Sequence, residues 1–185
     1  MRVTAICSKG TFSVVQDNRG IDANSQAGLD VHCPSGTRLT GGGVEVGGDS
    51  HKNEVATSEP IDGPDGGTVP DGWFGTGNNG LDHTVALFVF AVCASDGSFK
   101  YPHSIRRAVD DNTQVSAAVF CPAGTHVTGG GVEITGNDDG IEVADSFPVD
   151  GGDTGRVPDN GWRGTVNNDN TGGTRQMQAF AICRG

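Results

Sequence analysis

Short apolar runs, each only a few residues long and broken by glycine, proline or aspartate, recur along the whole chain. Runs of that length with in–out alternation predict strands, and no segment keeps a helical period over three turns. In the second half, residues 117–121 predict a strand ended by Pro122, with Pro122 to Thr125 as a turn. Residues 126–128 predict a second strand. The triple glycine Gly129, Gly130, Gly131 interrupts it before Val132, Glu133 and Ile134 resume the alternation. Glycines inside a strand pattern mark a bulge or a close approach by another group. Residues 141–144 predict a further strand ended by Ser146 and Pro148. Residues 176–183 predict the longest one, matched by 83–93 in the first half. The expected fold class is all-β, built of short antiparallel strands in a β-sandwich or a prism-like arrangement.

The pattern is written twice. Residues 24–71 shifted forward by 88 fall on 112–159 with about half the positions identical. Cys33, Pro34, Gly36 and Thr37 return as Cys121, Pro122, Gly124 and Thr125, and TGGGVE at 40–45 returns at 128–133. A repeat this close predicts two copies of one folding unit, 1–96 and 97–185. It also tests any active site, because a site confined to one copy must use residues that the other lacks. The first 20 or so residues of each copy resemble each other least and read as a connector plus one strand.

Five cysteines change the picture, because a unit of this size needs reinforcement. Cys33 and Cys121 follow one motif; Cys7, Cys93 and Cys183 close TAIC, FAVC and FAIC. Pairing Cys33–Cys93 and Cys121–Cys183 spans 60 and 62 residues, and pairing Cys7–Cys33 and Cys93–Cys121 spans 26 and 28. Spacing alone allows both schemes, each with one odd cysteine. We prefer the first, which closes each copy and leaves Cys7 odd. The segment 2–7 is then an extra closing-type strand with no partner copy before it, and an unpaired strand of this kind invites docking on a neighbouring subunit.

Charge narrows the partners. The net charge is −11 and Lys9, Lys52 and Lys100 are the only lysines. Phosphate neutralisation is therefore disfavoured, and nucleic acid is not an expected partner. No stretch reaches the ~20 apolar residues of a membrane span, and MRVTAICSKG lacks the apolar centre of a secretion signal.

Candidate chemistry is sparse. The glycine-rich 40–45 segment does not precede a helix, so a phosphate loop is not expected. Glu45 and Glu133, and Glu54 and Glu142, recur in both copies, but their flanking valines place them on the solvated face of alternating strands. The five histidines do not repeat, and no enzyme activity is expected. Asp62, Asp65 and Asp71 recur as Asp150, Asp153 and Asp159, hard oxygen ligands that suit calcium and equally suit plain turns. No cofactor is required. Trp73 and Trp162 stand beside Asn78, Asn79, Asn167 and Asn168. These residues suit either plugs of a small core or two sugar-stacking sites.

The set CPxGT, GGG, Ser-x-Pro, GW and AIC resembles repeat modules of secreted actinobacterial and phage-associated proteins. The matching residues are Cys33, the glycines 41–43, Ser58, Pro60, Trp73 and Cys93. The second set is Cys121, the glycines 129–131, Ser146, Pro148, Trp162 and Cys183. The resemblance implies an extracellular, β-rich, disulfide-containing module. The expected function is a non-catalytic structural subunit of a filament, coat or fibre at a cell or virion surface, self-associating through its N-terminal strand. The alternative is a lectin-like module that binds glycan.

Overall fold

The computed structural model describes residues 5–48, 50–63, 69–136, 140–151, 159–169 and 173–185. Among them all the helical and strand structure is β, in thirteen antiparallel strands. In the first half these are β1 (Phe12–Ile21), β2 (Ser25–His32), β3 (Arg38–Val46), β4 (Asn53–Ile61), β5 (Gly72–Asn79) and β6 (Val85–Ala94). The second half holds β7 (Phe99–Lys100), β8 (Arg107–Val109), β9 (Thr113–Phe120), β10 (His126–Ile134), β11 (Ile141–Val149), β12 (Gly161–Asn168) and β13 (Arg175–Arg184). Asn24 and Asn112 enter β2 and β9 with φ of 51° and 54°, a left-handed conformation that asparagine tolerates.

The strands form three sheets. β1-β6-β3 is one and β11-β12-β9 another. The largest runs β2-β5-β4-β10-β13-β7, with β8 also on β13. This sheet crosses from the first half to the second between β4 and β10. Pairings within the halves correspond. Leu39 faces Cys93 and Val127 faces Cys183, and each pair is followed by a bulge before Gly41 and Gly129. The glycines therefore do not end a strand: β3 and β10 run through them, kinked by the extra residue. β11 likewise continues past Ser146 and Pro148, with Pro148 opposite Trp162 on a sheet-edge strand where its missing N–H is tolerated.

Each half has a core, joined by sulfur. Cys33 bonds to Cys93 and Cys121 to Cys183, and Cys7 is free and exposed. Leu39, Trp73, Leu87 and Val89 fill the first core; Ile141, Val166, Met177 and Ala179 fill the second. The cores are not separate bodies, because Ile182 of β13 packs into the first while its neighbours Ala181 and Cys183 face the second. Tyr101, in the connector of the second half, donates from its hydroxyl to Leu39 O at 2.9 Å. Residues 5–7 pair with no strand among the described residues, so the described part of the expected N-terminal strand lies outside the sheets. Residues 2–4 lie outside the described residues.

Candidate functional site

The two halves meet along two seams built from equivalent strands. At the closed seam β10 lies on β4, with Val132 opposite Ser58. Only glycine fits there. A Cβ on Gly131 would run into Ser58 O. Beside the seam, where β10 approaches β3, one on Gly129 would stand 2.8 Å from Gly41 Cα. Thr57 Oγ1 donates to Ile134 O and accepts from Ile134 N, both at 3.3 Å. The middle glycine serves the local core instead. A Cβ on Gly130 would enter the Trp162 indole, and one on Gly42 the Trp73 indole.

The open seam consists of the counterparts. β3 and β11 are each the outer strand of their sheet. Gly43, the counterpart of Gly131, has nothing within 4 Å of where its Cβ would be. Ala144, Asp145, Ser146 and Phe147 are exposed, whereas Ala56, Thr57 and Pro60 of β4 are buried. Between these two edges runs a groove of about 820 Å³, lined by residues 40–44 and 143–146, by Trp162 and by Ile6, Cys7 and Ser8. Among the described residues, main-chain donors and acceptors along both edges have no sheet neighbour there, the condition under which a strand adds.

Acidic residues bridge the halves at both ends of β4. Glu54 hydrogen-bonds to Glu142, its own counterpart. Burial lifts the Glu54 carboxyl above the ordinary range, Glu142 pushes the same way, and a hydrogen bond with Asn78 opposes. Asn78 accepts from Gln26 Nε2 at 2.7 Å, and Asn167 accepts from Gln114 Nε2 at 2.6 Å while donating to Glu142 at 2.9 Å. At the other end, burial pushes Glu59 up to about 8, helped by Glu133 and opposed by Arg106. Arg106 itself bridges to Glu133 at 2.7 Å.

The indoles and amides of the sugar-site expectation do not converge. Trp73 is fully buried and its Nε1 donates to Ser58 Oγ at 3.1 Å; Trp162 is partly buried and donates to Ser146 Oγ at 2.8 Å. Five residues along the same strands, Asn78 and Asn167 point to the opposite face. Asn79 is a buried clamp, donating to Ile21 O, Asp22 O and His83 O and accepting from Leu81 N. Asn168 is buried as well, donating to Val109 O at 3.0 Å.

Of the expected calcium ligands, Asp65 and Asp153 lie outside the described residues. Asp62 and Asp150 are exposed. Asp71 pairs with His32 Nδ1 at 3.2 Å and Asp159 with His126 Nδ1 at 3.3 Å. Among the described residues no three His, Cys, Asp or Glu side chains are grouped to hold a metal. His32 also pairs with Asp30 at 2.8 Å. Burial lowers its pKa, but its hydrogen bonds to Asp30 and Asp71 outweigh that and raise it overall.

Sequence reasoning did not find the open seam. Its one signal was Ser-x-Pro, whose serine marks the register of β4 and β11 against a glycine strand. The fold and its seams define an all-β, disulfide-linked protein whose halves share one sheet. Comparison with family models, with curated proteins and with solved structures gave no match.

Proposed function

We propose that the protein is a non-catalytic extracellular structural subunit of a filament, coat or fibre, which associates with copies of itself. One observation carries the reading: strand edges that are paired at the closed seam, β4 and β10, have counterparts, β11 and β3, that have no partner strand among the described residues. Monomers usually blunt such edges, and an exposed edge is a means of joining chains. Two disulfides suit an oxidising exterior. Among the described residues no helix is long and apolar enough to cross a membrane. The carbohydrate-binding alternative has less support, since Asn78, Asn79 and Asn168 are buried and the half-buried Asn167 lies on the face opposite the Trp162 indole. Light scattering on the native chain across a concentration series tests the proposal. Polymers or discrete oligomers are expected, and a particle of 18.9 kDa at every concentration overturns it.

A further inference from the structure

We propose that the closed seam is a pH-sensitive joint between the halves, held shut while carboxyls on its two sides keep protons and loosened where they ionise. The joint acts within one chain, whether or not copies associate.

The seam is held by a short set of contacts. Val132 of β10 meets Ser58 of β4 as a ladder pair, Thr57 exchanges hydrogen bonds with Ile134, and Asn78 Nδ2 donates to Ile141 O at 3.5 Å. At each end of β4 a carboxyl of the first half faces one of the second. Glu54 hydrogen-bonds to Glu142. An ionised carboxylate only accepts, so this bond exists only while one of the two holds a proton. Asn78 also bonds to Glu54, and Asn167 donates to Glu142 Oε1 at 2.9 Å, which holds both carboxyls in place. At the other end Glu59 faces Glu133. The backbones are close there: a Cβ on Gly131 would stand 3.0 Å from Glu59 Cα. Arg106, bonded to Glu133 at 2.7 Å, is the cation at this end.

Full ionisation therefore sets like charges against each other across both ends. The charged groups facing Glu54 are Glu142 and Asp169, both acidic, and those facing Glu59 are Glu133 and Arg106. His103 stands one step further, bonded to Gln178, which lies opposite Glu133 in β13. Burial raises the pKa of both Glu54 and Glu59, the latter to about 8, so the closed seam binds their protons more tightly than water-exposed carboxyls do. Opening hydrates these groups and releases the protons. The open form consequently gains as pH rises, by about tenfold per pH unit for Glu59 between 4.5 and about 8. The open seam lacks this second pair, because the counterparts of Glu59 and Glu133 are Phe147 and Glu45. Opening the joint in alkali would add the edges of β4 and β10 to those already free at β3 and β11.

Hydrogen exchange on the full-length chain from pH 5 to pH 9 tests the joint, with each amide's rate divided by its unstructured rate at that pH. The Ile134 amide reports the seam, since it donates to Thr57 across it. The Leu87 and Val89 amides of β6, in the first core, report the whole fold. Ile134 is expected to be less protected than Leu87 and Val89, with protection falling about tenfold per pH unit over the range in which Glu59 ionises. Glu59→Gln should remove most of that slope and Glu54→Gln part of it, while Glu45→Gln on β3 should leave it unchanged. Either of the first two variants suffices if the other fails to fold. Protection of Ile134 equal to that of the β6 amides at every pH would mean that the halves part only when the whole chain unfolds, and overturns the joint. So does Ile134 protection that stays constant with pH, or a slope that survives in the Glu59→Gln and Glu54→Gln variants.

Discussion

Trp73 donates its indole N–H to Ser58 at 3.1 Å, and fifteen residues separate the two in the chain. Trp162 makes the same bond to Ser146 at 2.8 Å. The bonds are equivalent and the surroundings are not. Ser58 is covered by β10 of the other half, while Ser146 lies on the exposed edge of β11. Trp73 is consequently sealed from solvent and Trp162 only partly buried.

Replacing the two tryptophans should therefore have unequal cost. Trp73→Ala removes a fully buried indole and is expected to cost about 3–5 kcal/mol. Trp162→Ala, at the wall of the open groove, should cost clearly less. Urea midpoints at constant m decide it, and equal losses at the two sites would show that the seams are equally closed in solution.

The glycine run separates into positions of different tolerance. Gly42→Ala sets a methyl against the Trp73 indole and is expected to destabilise by about 1–3 kcal/mol. Gly43→Ala meets nothing within 4 Å and should be neutral or slightly stabilising through the unfolded chain. Gly131→Ala, the counterpart of Gly43, should be the most damaging of the three, since the Ser58 carbonyl cannot move without opening β4 from β10. Thermal melts of the three variants give the ranking directly.

Stability should fall in alkali. Glu59 holds its proton in the folded chain up to about 8, against an ordinary value of 4.5. A raised carboxyl value means that the folded state binds the proton more tightly. That contribution is complete below pH 4.5 and is lost as pH rises through about 8. Its total is on the order of a few kcal/mol. His32 adds in the same direction: the stability from its raised value is present below 6.5 and lost as pH climbs through the folded value. The groups facing Glu59 are Glu133 and Arg106. Glu59→Gln, which keeps the shape without the charge, should flatten most of the loss between pH 6 and pH 9. An unchanged pH–stability curve in that variant would mean that Glu59 does not carry the slope.

Each disulfide closes a long loop, 60 residues for Cys33–Cys93 and 62 for Cys121–Cys183. Replacing either pair by serine should cost about 4 kcal/mol on the chain-entropy model. Because Ile182 links the cores, loss of the Cys121–Cys183 bond should also loosen the first half. Hydrogen exchange at β3 and β6 in the Cys121→Ser/Cys183→Ser variant is expected to quicken, and exchange confined to the second half would count against that coupling.

Much of the fold was legible in the chain because its causes are local. A period of two set the strands, and Asn24 and Asn112 stand in left-handed turns that few other residues accept. Boundaries were less legible. β3 and β10 pass through their glycines because a bulge absorbs the irregularity, and β11 passes Pro148 because an edge position needs no N–H there. The amides at Asn79 and Asn168 resembled ligand groups, yet their partners are backbone carbonyls brought near only by folding.

By itself, the sequence determined the all-β class of fold and the positions at which glycine recurs, since these follow from alternation, turn chemistry and repeated motifs. Only the tertiary structure decided which copy of each position is covered. Gly43 and Gly131, like Ser58 and Ser146, sit in near-identical sequence, and local preferences treat the members of each pair alike. Their difference arises because β4 and β10 pair directly while β3 and β11 stand apart across a groove, a choice made by packing between the halves.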